Sequence, residues 1–358
     1  MYSMSARIIF IVFLGFIFIL SHCNNIPSKH PEPVNPNTIQ EARNLLDFIY
    51  EIEGKHILSG HHNYNGSLMR FHNAVKEITG KYPVVWGADF SFNFPNNNPD
   101  SVRQAIVDKA IELYSDGHII TLMWHSPPPE KGTSSSASDI WIWEPGVSEE
   151  YWDSLITTGT KLNKQWQKQV DDIAGYLKQL EKAEVPVLWR PYHEMNGIWF
   201  WWCNERGKDG YQKLWKMMYD RLVNHHQLNN LLWVWNPNAP RDKEGDEAYA
   251  YQLFFPGLDY VDILAADVYH NDYRLSHHDD LLKLADGKPI ALGEVGQLPT
   301  PKIINNQSQW TWFMGWASWI HKANDPDSVR ALYNAPKVIT KDEISKGSDG
   351  NFSIKLNR

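Results

Sequence analysis

Eight short runs of apolar, β-favouring residues recur along the chain, and segments with helical or loop-like patterning separate them. Repeated strand and helix units of this kind predict a parallel sheet, and eight of them favour a closed barrel over an open sheet. The predicted strands lie at residues 56–61, 82–90, 118–126, 185–194, 231–236, 261–269, 289–296 and 311–317. The helical candidates include residues 38–53, 99–115, 154–182 and 210–226. Without an internal repeat, the sequence predicts a single α/β domain, a (β/α)8 TIM barrel.

Polar or aromatic residues end most of these predicted strands. They are Asp89, His125, Glu194, Asn236, Tyr269, Glu294 and Trp316. A strand that serves only the core has little reason to end repeatedly in groups that resist burial. Barrel enzymes build their sites from the carboxyl ends of several strands. The sequence therefore predicts a functional site at this end of the barrel.

Two glutamates among these strand ends suit one chemistry. Glu194 ends the fourth predicted strand and Glu294 the seventh, 100 residues later, so the two face each other across the barrel mouth. Breaking a glycosidic bond needs a protonated carboxyl and an ionised one, and a separation of about 5.5 Å leads to retention of configuration. A structural salt bridge, for instance between Glu194 and Arg190, is the alternative. For either glutamate alone we would favour that alternative, but for the pair we favour catalysis.

The residues around these glutamates resemble glycoside hydrolase family 26. Arg190-Pro-Tyr-His-Glu-Met-Asn-Gly-Ile-Trp-Phe-Trp-Trp202 resembles its acid/base signature, and Leu292-Gly-Glu-Val-Gly296 resembles its nucleophile signature. Shorter matches lie at residues 58–62, 86–89, 123–125 and 267–269, and the resemblance covers residues 38–335. It implies a retaining endo-β-1,4-mannanase that acts on β-mannan, galactomannan or glucomannan. Mixed-linkage β-glucanases, β-1,3-xylanases and chain-end mannobiohydrolases of the same family stay open, as does a non-catalytic surface glycan-binding protein.

The resemblance also implies roles for individual residues. Glu194 is the expected acid/base and Glu294 the expected nucleophile. His193 is expected to bond near the sugar 2-hydroxyl, Tyr269 to donate its hydroxyl to the nucleophile, and His125 to contact the sugar that is cleaved. Tyr269 and His125 could instead be ordinary core residues.

Further substrate contacts are expected from Arg190, Asp267, Trp199 and Trp316. Trp199 resembles the aromatic wall of the family's active centre, and Trp316 resembles the eighth-strand tryptophan that stacks on the sugar. Ala317-Ser318 follows Trp316 where the family pattern has Arg-Asn, so Trp310 and Trp312 remain alternatives. Trp141, Trp143 and Trp202 could form outer platforms or pack internally.

Charge and histidine spacing bear on other partners. The net charge of −8 gives no reason to expect nucleic acid. His193-Glu194 is not followed by a second histidine three residues later, and the adjacent pairs of histidines diverge, so we predict neither a catalytic metal nor a cofactor. A structural calcium ion stays open, and we expect a monomer.

The amino terminus predicts export. A 13-residue apolar run at 8–20 follows one positive charge, as in a signal peptide ending near residue 23. Leu20-Ser-His-Cys23 resembles a lipoprotein cleavage box except at His22, so lipid attachment at Cys23 and plain cleavage both stay open. Either predicts a secreted or cell-surface protein, and leaves Cys203 without a disulfide partner. We expect a flexible spacer at 24–37, the catalytic domain at 38–345 and a tail at 346–358.

Overall fold

Eight parallel strands form a closed barrel in the computed structural model, which describes residues 30–92, 98–134 and 146–355. The barrel strands are β1 (Ile57–His62), β2 (Val85–Asp89), β3 (Ile119–Trp124), β4 (Val187–Pro191), β5 (Leu231–Trp235), β6 (Ile263–Val268), β7 (Ile290–Val295) and β8 (Trp310–Gly315). Each strand pairs with the next, and β1 also pairs with β8, which closes the sheet. Each observed strand overlaps a predicted one, and the predicted (β/α)8 barrel is confirmed.

Helices cover the outside of the barrel. They are α1 (Gln40–Ile52), α2 (Arg70–Thr79), α3 (Pro99–Ser115), α4 (Glu149–Ile156), α5 (Lys161–Lys182), α6 (Tyr211–Tyr219), α7 (Leu275–Ala285), α8 (Pro301–Asn306), α9 (Trp319–Lys322) and α10 (Pro326–Tyr333). The helix predicted at 154–182 is two helices, because Thr160 caps the start of α5 by accepting a hydrogen bond from the Asn163 backbone. Helix α6 continues as a π-helical turn, Asp220–His225.

Tryptophan supplies much of the packing between barrel and helices. Ten tryptophans in the described part of the chain are at most 2% exposed: Trp86, Trp124, Trp166, Trp189, Trp202, Trp215, Trp233, Trp235, Trp310 and Trp312. Trp233 on β5, for example, packs edge-to-face on Trp215 of α6 at 5.6 Å between ring centroids. Each such ring buries roughly 150–250 Å², so these ten tryptophans serve the packed core rather than a sugar-binding surface.

Segments at both ends of the domain pack against the barrel. Val34 donates its backbone N–H to Asp262 just before β6 (2.7 Å), and the Asn35 side chain donates to the Leu228 carbonyl before β5 (3.2 Å). The last residues of the expected spacer are therefore held against the end of the barrel where the strands begin. At the other terminus, β9 (Val338–Ile339) pairs with β1.

The expected boundary at residue 345 falls inside a β-hairpin. Its strands are β10 (Ile344–Lys346) and β11 (Phe352–Ile354), which pair antiparallel. Phe352 packs against Phe48 of α1 with ring centroids 5.8 Å apart. Much of the expected tail is therefore packed on the domain.

Several expectations concern residues outside this description. The export segment, Cys23, Trp141 and Trp143 lie outside the described residues. In the part of the chain that the structure describes, no helix has the length and apolar character needed to cross a membrane.

Candidate active site

A cleft with a volume of about 580 Å³ opens where the barrel strands end. Its lining includes seven of the nine residues expected from the sequence: His125, His193, Glu194, Trp199, Tyr269, Glu294 and Trp316. They come from the ends of β3, β4, β6, β7 and β8 or the loops that follow them. The barrel thus brings together side chains from positions up to 191 residues apart in the sequence.

The backbone leaves β4 in an unusual conformation that places Glu194. Tyr192 and Glu194 have left-handed φ angles of 48° and 55°, and the Glu194 N–H donates to the Asn236 carbonyl at 2.7 Å. Strand alternation therefore stops after Pro191, although it was expected to continue to Glu194. Tyr192 consequently turns away from the cleft, and its hydroxyl accepts a hydrogen bond from Trp166 of α5 at 2.9 Å. Left-handed non-glycine residues cost of order 1–3 kcal/mol each and cluster at functional sites.

Two neutral donors hold the Glu194 carboxyl group. Trp199 Nε1 donates to Oε2 and Asn238 Nδ2 donates to Oε1, both at 2.6 Å. Only 7% of Glu194 is exposed. Burial, and after it the negative charge of Glu294, raise the pKa of Glu194 to about 7, although the two donors oppose the shift. Glu194 can therefore be protonated near neutral pH, as a general acid requires.

Glu294 lies in a different environment. Tyr269 donates its hydroxyl to Oε2 at 2.8 Å, and Arg190 Nη2 donates to Oε1 at 3.0 Å. Burial and neighbouring carboxylates raise the pKa of Tyr269 well above its usual value, so this hydroxyl stays protonated and remains a donor. The two bonds fix both oxygens of a carboxylate that faces the cleft.

Arg190 joins Glu294 to the residues beneath it. The guanidinium also donates to Asn236 Oδ1 (2.7 Å) and to Asp267 Oδ1 (3.4 Å), and its Nη1 lies 2.9 Å from His62 Nε2. Arg190 and Asp267 are both 0% exposed and do not line the cleft, although substrate contacts were expected of them. Arg190 therefore holds Glu294 from beneath the cleft lining, and Asp267 in turn holds Arg190.

Two histidines form the floor of the cleft beside Glu294. His125 Nδ1 bonds to Asp89 Oδ2 at 2.6 Å, so Asp89 orients this ring. His193 meets the His125 ring edge-to-face at 4.4 Å, and its Nε2 lies 3.7 Å from Glu294 Oε1. Burial lowers the pKa of His193 well below its usual value, so the ring is neutral. Both rings have nitrogens that can form hydrogen bonds, and the His193 ring does so without a positive charge.

Aromatic rings form part of the cleft wall. Trp316 lies among His62, Phe92 and His125, with ring centroids 5.1, 5.6 and 6.1 Å away. The alternatives Trp310 and Trp312 are buried within β8, and Trp202 is fully buried and donates to the His193 carbonyl. Of these eighth-strand candidates, it is Trp316 that reaches the cleft.

A sequence profile of Glycosyl hydrolase family 26 matches residues 34–343. The chain belongs to glycosyl hydrolase family 26. The match covers every barrel strand and both cleft glutamates, and the resemblance inferred from the signatures at residues 190–202 and 292–296 is confirmed.

Solved structures and curated proteins of family 26 are similar to this chain. GH26A from Muricauda sp. is 53% identical, with a TM-score of 0.82 over 87% of this chain and 99% of that one. A β-mannanase from a symbiotic protist of the termite Reticulitermes speratus, solved with gluco-manno-oligosaccharide, is 27% identical, with a TM-score of 0.73 over 87% and 96% of the two chains. A mannan endo-1,4-beta-mannosidase from Thermothelomyces thermophilus is 33% identical over 88% of this chain.

Some of these relatives are longer than this chain. The chain spans 64% of the Thermothelomyces protein, and 52% and 50% of two mannan endo-1,4-beta-mannosidases from Piromyces sp.. The similarity therefore concerns the barrel.

Further cleft residues of this family 26 chain were not expected from its sequence. They are Phe92, Ile198, Phe200, Asn238, Arg241, Gly245, Asp246, His270 and Trp319. Asn238 follows the strand-end residue Asn236 by two positions, which is the one sequence feature that could have pointed to it. Arg241 and Asp246 belong to a loop without periodic patterning.

Two groups of side chains in the described part of the chain have donor spacing that a metal ion could use. They are His193, Asp267 and Glu294, and Asp171, His225 and His226. In the first group, Arg190 already donates to both carboxylates. In the second, Arg221 forms a two-point ion pair with Asp171. A guanidinium therefore already supplies the positive charge in each group.

Proposed function

We propose that this family 26 chain is an endo-β-1,4-mannanase that cleaves by double displacement with retention of configuration. The observation that carries the mechanism is the difference between the two cleft carboxyl groups. Glu194 is held by neutral donors and its pKa is raised to about 7, whereas Glu294 is bonded to a guanidinium and a hydroxyl. Such a pair divides naturally into an acid and a nucleophile.

In the first step, a Glu294 oxygen attacks the anomeric carbon of the bound sugar. The bond from that carbon to the leaving oxygen breaks, and this oxygen takes the proton of Glu194. The products are a glycosyl ester on Glu294, an ionised Glu194 and a shortened polysaccharide. Tyr269 and Arg190 hold Glu294 for the attack.

In the second step, a water oxygen attacks the same carbon while Glu194 accepts a water proton. The ester bond to Glu294 breaks, and both glutamates return to their starting states. Two inversions at one carbon give net retention. Proton transfer by Glu194 contributes about 10² to 10⁴ in rate, and positioning and charge stabilisation supply the remainder.

The names of similar proteins support β-mannan as the substrate. Curated relatives are mannan endo-1,4-beta-mannosidases, and the protist enzyme was solved with a gluco-manno-oligosaccharide. The Trp316 ring on the cleft wall provides an apolar face that suits a sugar ring. Mannan, galactomannan or glucomannan can therefore be expected to occupy the cleft.

The deciding assay compares release of reducing ends from mannan, galactomannan, lichenan and β-1,3-xylan. We expect mannan and galactomannan to be cleaved fastest, with internal cleavage visible as a rapid fall in viscosity. Faster cleavage of lichenan would refute the mannanase assignment while leaving the mechanism in place. Binding to mannan without any product, under conditions in which a reference mannanase is active, would instead favour a glycan-binding protein.

We further infer that the protein is exported, from the apolar run at 8–20 and the cysteine at position 23. If Cys23 is acylated, cells fed an alkyne-labelled fatty acid will label the wild-type protein but not the Cys23→Ala variant. Labelling of neither, with the mature protein free in the medium, would instead support plain cleavage and secretion.

A further inference from the structure

Arg241 lies in the loop that follows β5. Its backbone pairs with Ala248 in both directions, at 2.9 and 3.0 Å, so residues 241–248 form a closed loop. The side chain is 11% exposed and reaches into the cleft lining next to Glu194. A guanidinium that is largely buried needs hydrogen-bond partners. Some of the groups that Arg241 contacts also bond to Glu194.

Each end of the Arg241 guanidinium is held. Nε donates to the Asp246 carbonyl at 2.8 Å, and Nη2 donates to the Asp246 carboxylate. Nη1 donates to Asn238 Oδ1. The guanidinium also lies over the Trp199 ring, 5.0 Å from the centroid. Arg241 therefore contacts both residues that donate to Glu194.

The contact with Asn238 determines which way its amide points. A guanidinium has donors only, so the Asn238 atom that faces Arg241 has to be the carbonyl oxygen. The amide NH2 then faces Glu194 and donates to Oε1 at 2.6 Å. The Asn238 backbone is fixed as well, because its N–H donates to Asn196 Oδ1 at 2.8 Å and its carbonyl accepts from Asn196 Nδ2 at 2.7 Å. With the backbone fixed, amide rotation is the remaining freedom, and Arg241 removes it.

We propose that Arg241 is a positioning residue that holds the Asn238 amide and the Trp199 indole against the acid/base Glu194. The proposal rests on the proposed function, because it assigns a role in the proton transfer by Glu194. In the absence of Arg241, Asn238 can turn its oxygen towards Glu194 and the Trp199 ring loses its cation partner. Proton delivery to the leaving sugar would then be misaligned.

The charges around Glu194 set the expected pH effect. The titratable and charged groups near it are Glu294, Asp267, Tyr269, His193, Arg190 and Cys203, and beyond Arg241 lie Asp246, Lys243 and His270. The positive charge of Arg241 and the Asn238 and Trp199 hydrogen bonds all lower the pKa of Glu194. Removing Arg241 weakens these effects, so the pKa of Glu194 rises further.

The test compares Arg241→Met with wild type on two substrates. On β-1,4-mannan the leaving sugar needs a proton, whereas 2,4-dinitrophenyl β-mannobioside has a leaving group that does not. We expect kcat/KM to fall about tenfold or more on mannan and less than about threefold on the aryl glycoside. The alkaline limb of the kcat/KM profile on mannan should also move to higher pH. Arg241→Lys, which keeps the charge but not the planar fork, should lie between wild type and Arg241→Met.

Arg206→Met is the matched control. Arg206 also stacks on a ring, that of Tyr249 at 4.0 Å, but it is exposed and does not line the cleft. We expect wild-type kinetics on both substrates. All these variants keep Asp246 and His270, so the charged groups beyond Arg241 are the same in each.

Two results would overturn the positioning role. One is equal loss on both substrates in Arg241→Met and Arg241→Lys, which indicates general damage to the cleft. The other is an Arg241→Met enzyme whose rates and pH profile match those of Arg206→Met. If wild type turned over neither substrate, the proposed function would fail and the inference with it, an outcome that the wild-type assay alone identifies.

Discussion

Glu194 and Glu294 are chemically identical residues that meet different neighbours. An indole and a side-chain amide donate to Glu194, whereas a fully buried guanidinium and a phenol donate to Glu294. At the residue scale, the proposed division of labour follows from these four donors. It leads to predictions in which one donor or one carboxylate is removed at a time.

Replacing Glu294 with alanine should abolish hydrolysis, with a loss in kcat/KM on mannan of about 10⁴ or more. With an activated aryl β-mannoside, added azide should enter the space left by the carboxylate and attack the anomeric carbon from that face. The product should be the glycosyl azide of inverted configuration, which NMR identifies. Rescue that gives only the retained azide would contradict the nucleophile assignment.

Replacing Trp199 with phenylalanine keeps an aromatic ring but removes the Nε1 donor. Because hydrogen bonds to the ionised form lower a carboxyl pKa, losing this one should raise the pKa of Glu194 above about 7. The acid is active when protonated, so the alkaline limb of kcat/KM should start near pH 7 in wild type and shift upward in Trp199→Phe. Phe200→Leu, on the same loop but without a bond to Glu194, serves as control. A downward shift in Trp199→Phe would contradict the assignment.

At the element scale, the loop after β4 carries both the proposed acid, Glu194, and its indole donor, Trp199. Gly197 lies under the Trp199 ring, and a Cβ added there would stand 2.4 Å from a ring carbon. The left-handed turn at Glu194 and the close approach at Gly197 together fix Trp199 beside the Glu194 carboxyl group. The loop therefore acts as one unit.

Gly197→Ala tests this unit. The added methyl group must displace the Trp199 ring, so kcat on mannan should fall by about tenfold or more while the fold persists. Gly175→Ala is the matched control, since it lies exposed in α5 with no atom within 4 Å of an added Cβ. That variant should keep wild-type activity and gain about 0.5–1 kcal/mol of unfolding free energy, measured by denaturant titration. Full activity in Gly197→Ala would show that Trp199 is not fixed as described.

The sequence predicts the elements better than the loops between them. Strand-end residues such as Glu294 and Tyr269 could be predicted because alternation and strand boundaries are local properties. Arg241 could not, because its place is set by Asp246, Asn238 and a ring from another loop. The predicted strand at 185–194 includes Tyr192 and Glu194, but left-handed backbone angles at both residues end the strand at Pro191.

At the scale of the whole molecule, the segment before α1 packs against the end of the barrel opposite the cleft. The Val34 N–H and the Trp233 N–H each donate to one oxygen of Asp262, at 2.7 Å, and Tyr219 donates to the Val34 carbonyl at 2.8 Å. Asp262 is 2% exposed, so each of its oxygens depends on these partners. The folded unit thus begins before the expected boundary at residue 38.

Shortened chains measure this contribution. A chain starting at residue 38 loses the bond to Asp262 and leaves a buried oxygen without its partner, which should cost about 1–3 kcal/mol of unfolding free energy. A chain starting at residue 30 keeps the bond and should unfold like a longer one. Equal stability of the two chains in urea titrations would refute the contribution of Val34.

The position of Val34 also determines which end of the barrel would face a support attached to the amino terminus. Val34 and Asn35 are bound beside the starts of β5 and β6, and the cleft lies where those strands finish. A bead, a scaffold or a cell envelope linked upstream would thus lie at the end where the strands begin. The cleft at the opposite end would then face outward. Immobilised in that way, the protein should still bind long, insoluble polysaccharide fibres, which a support on the cleft side would block.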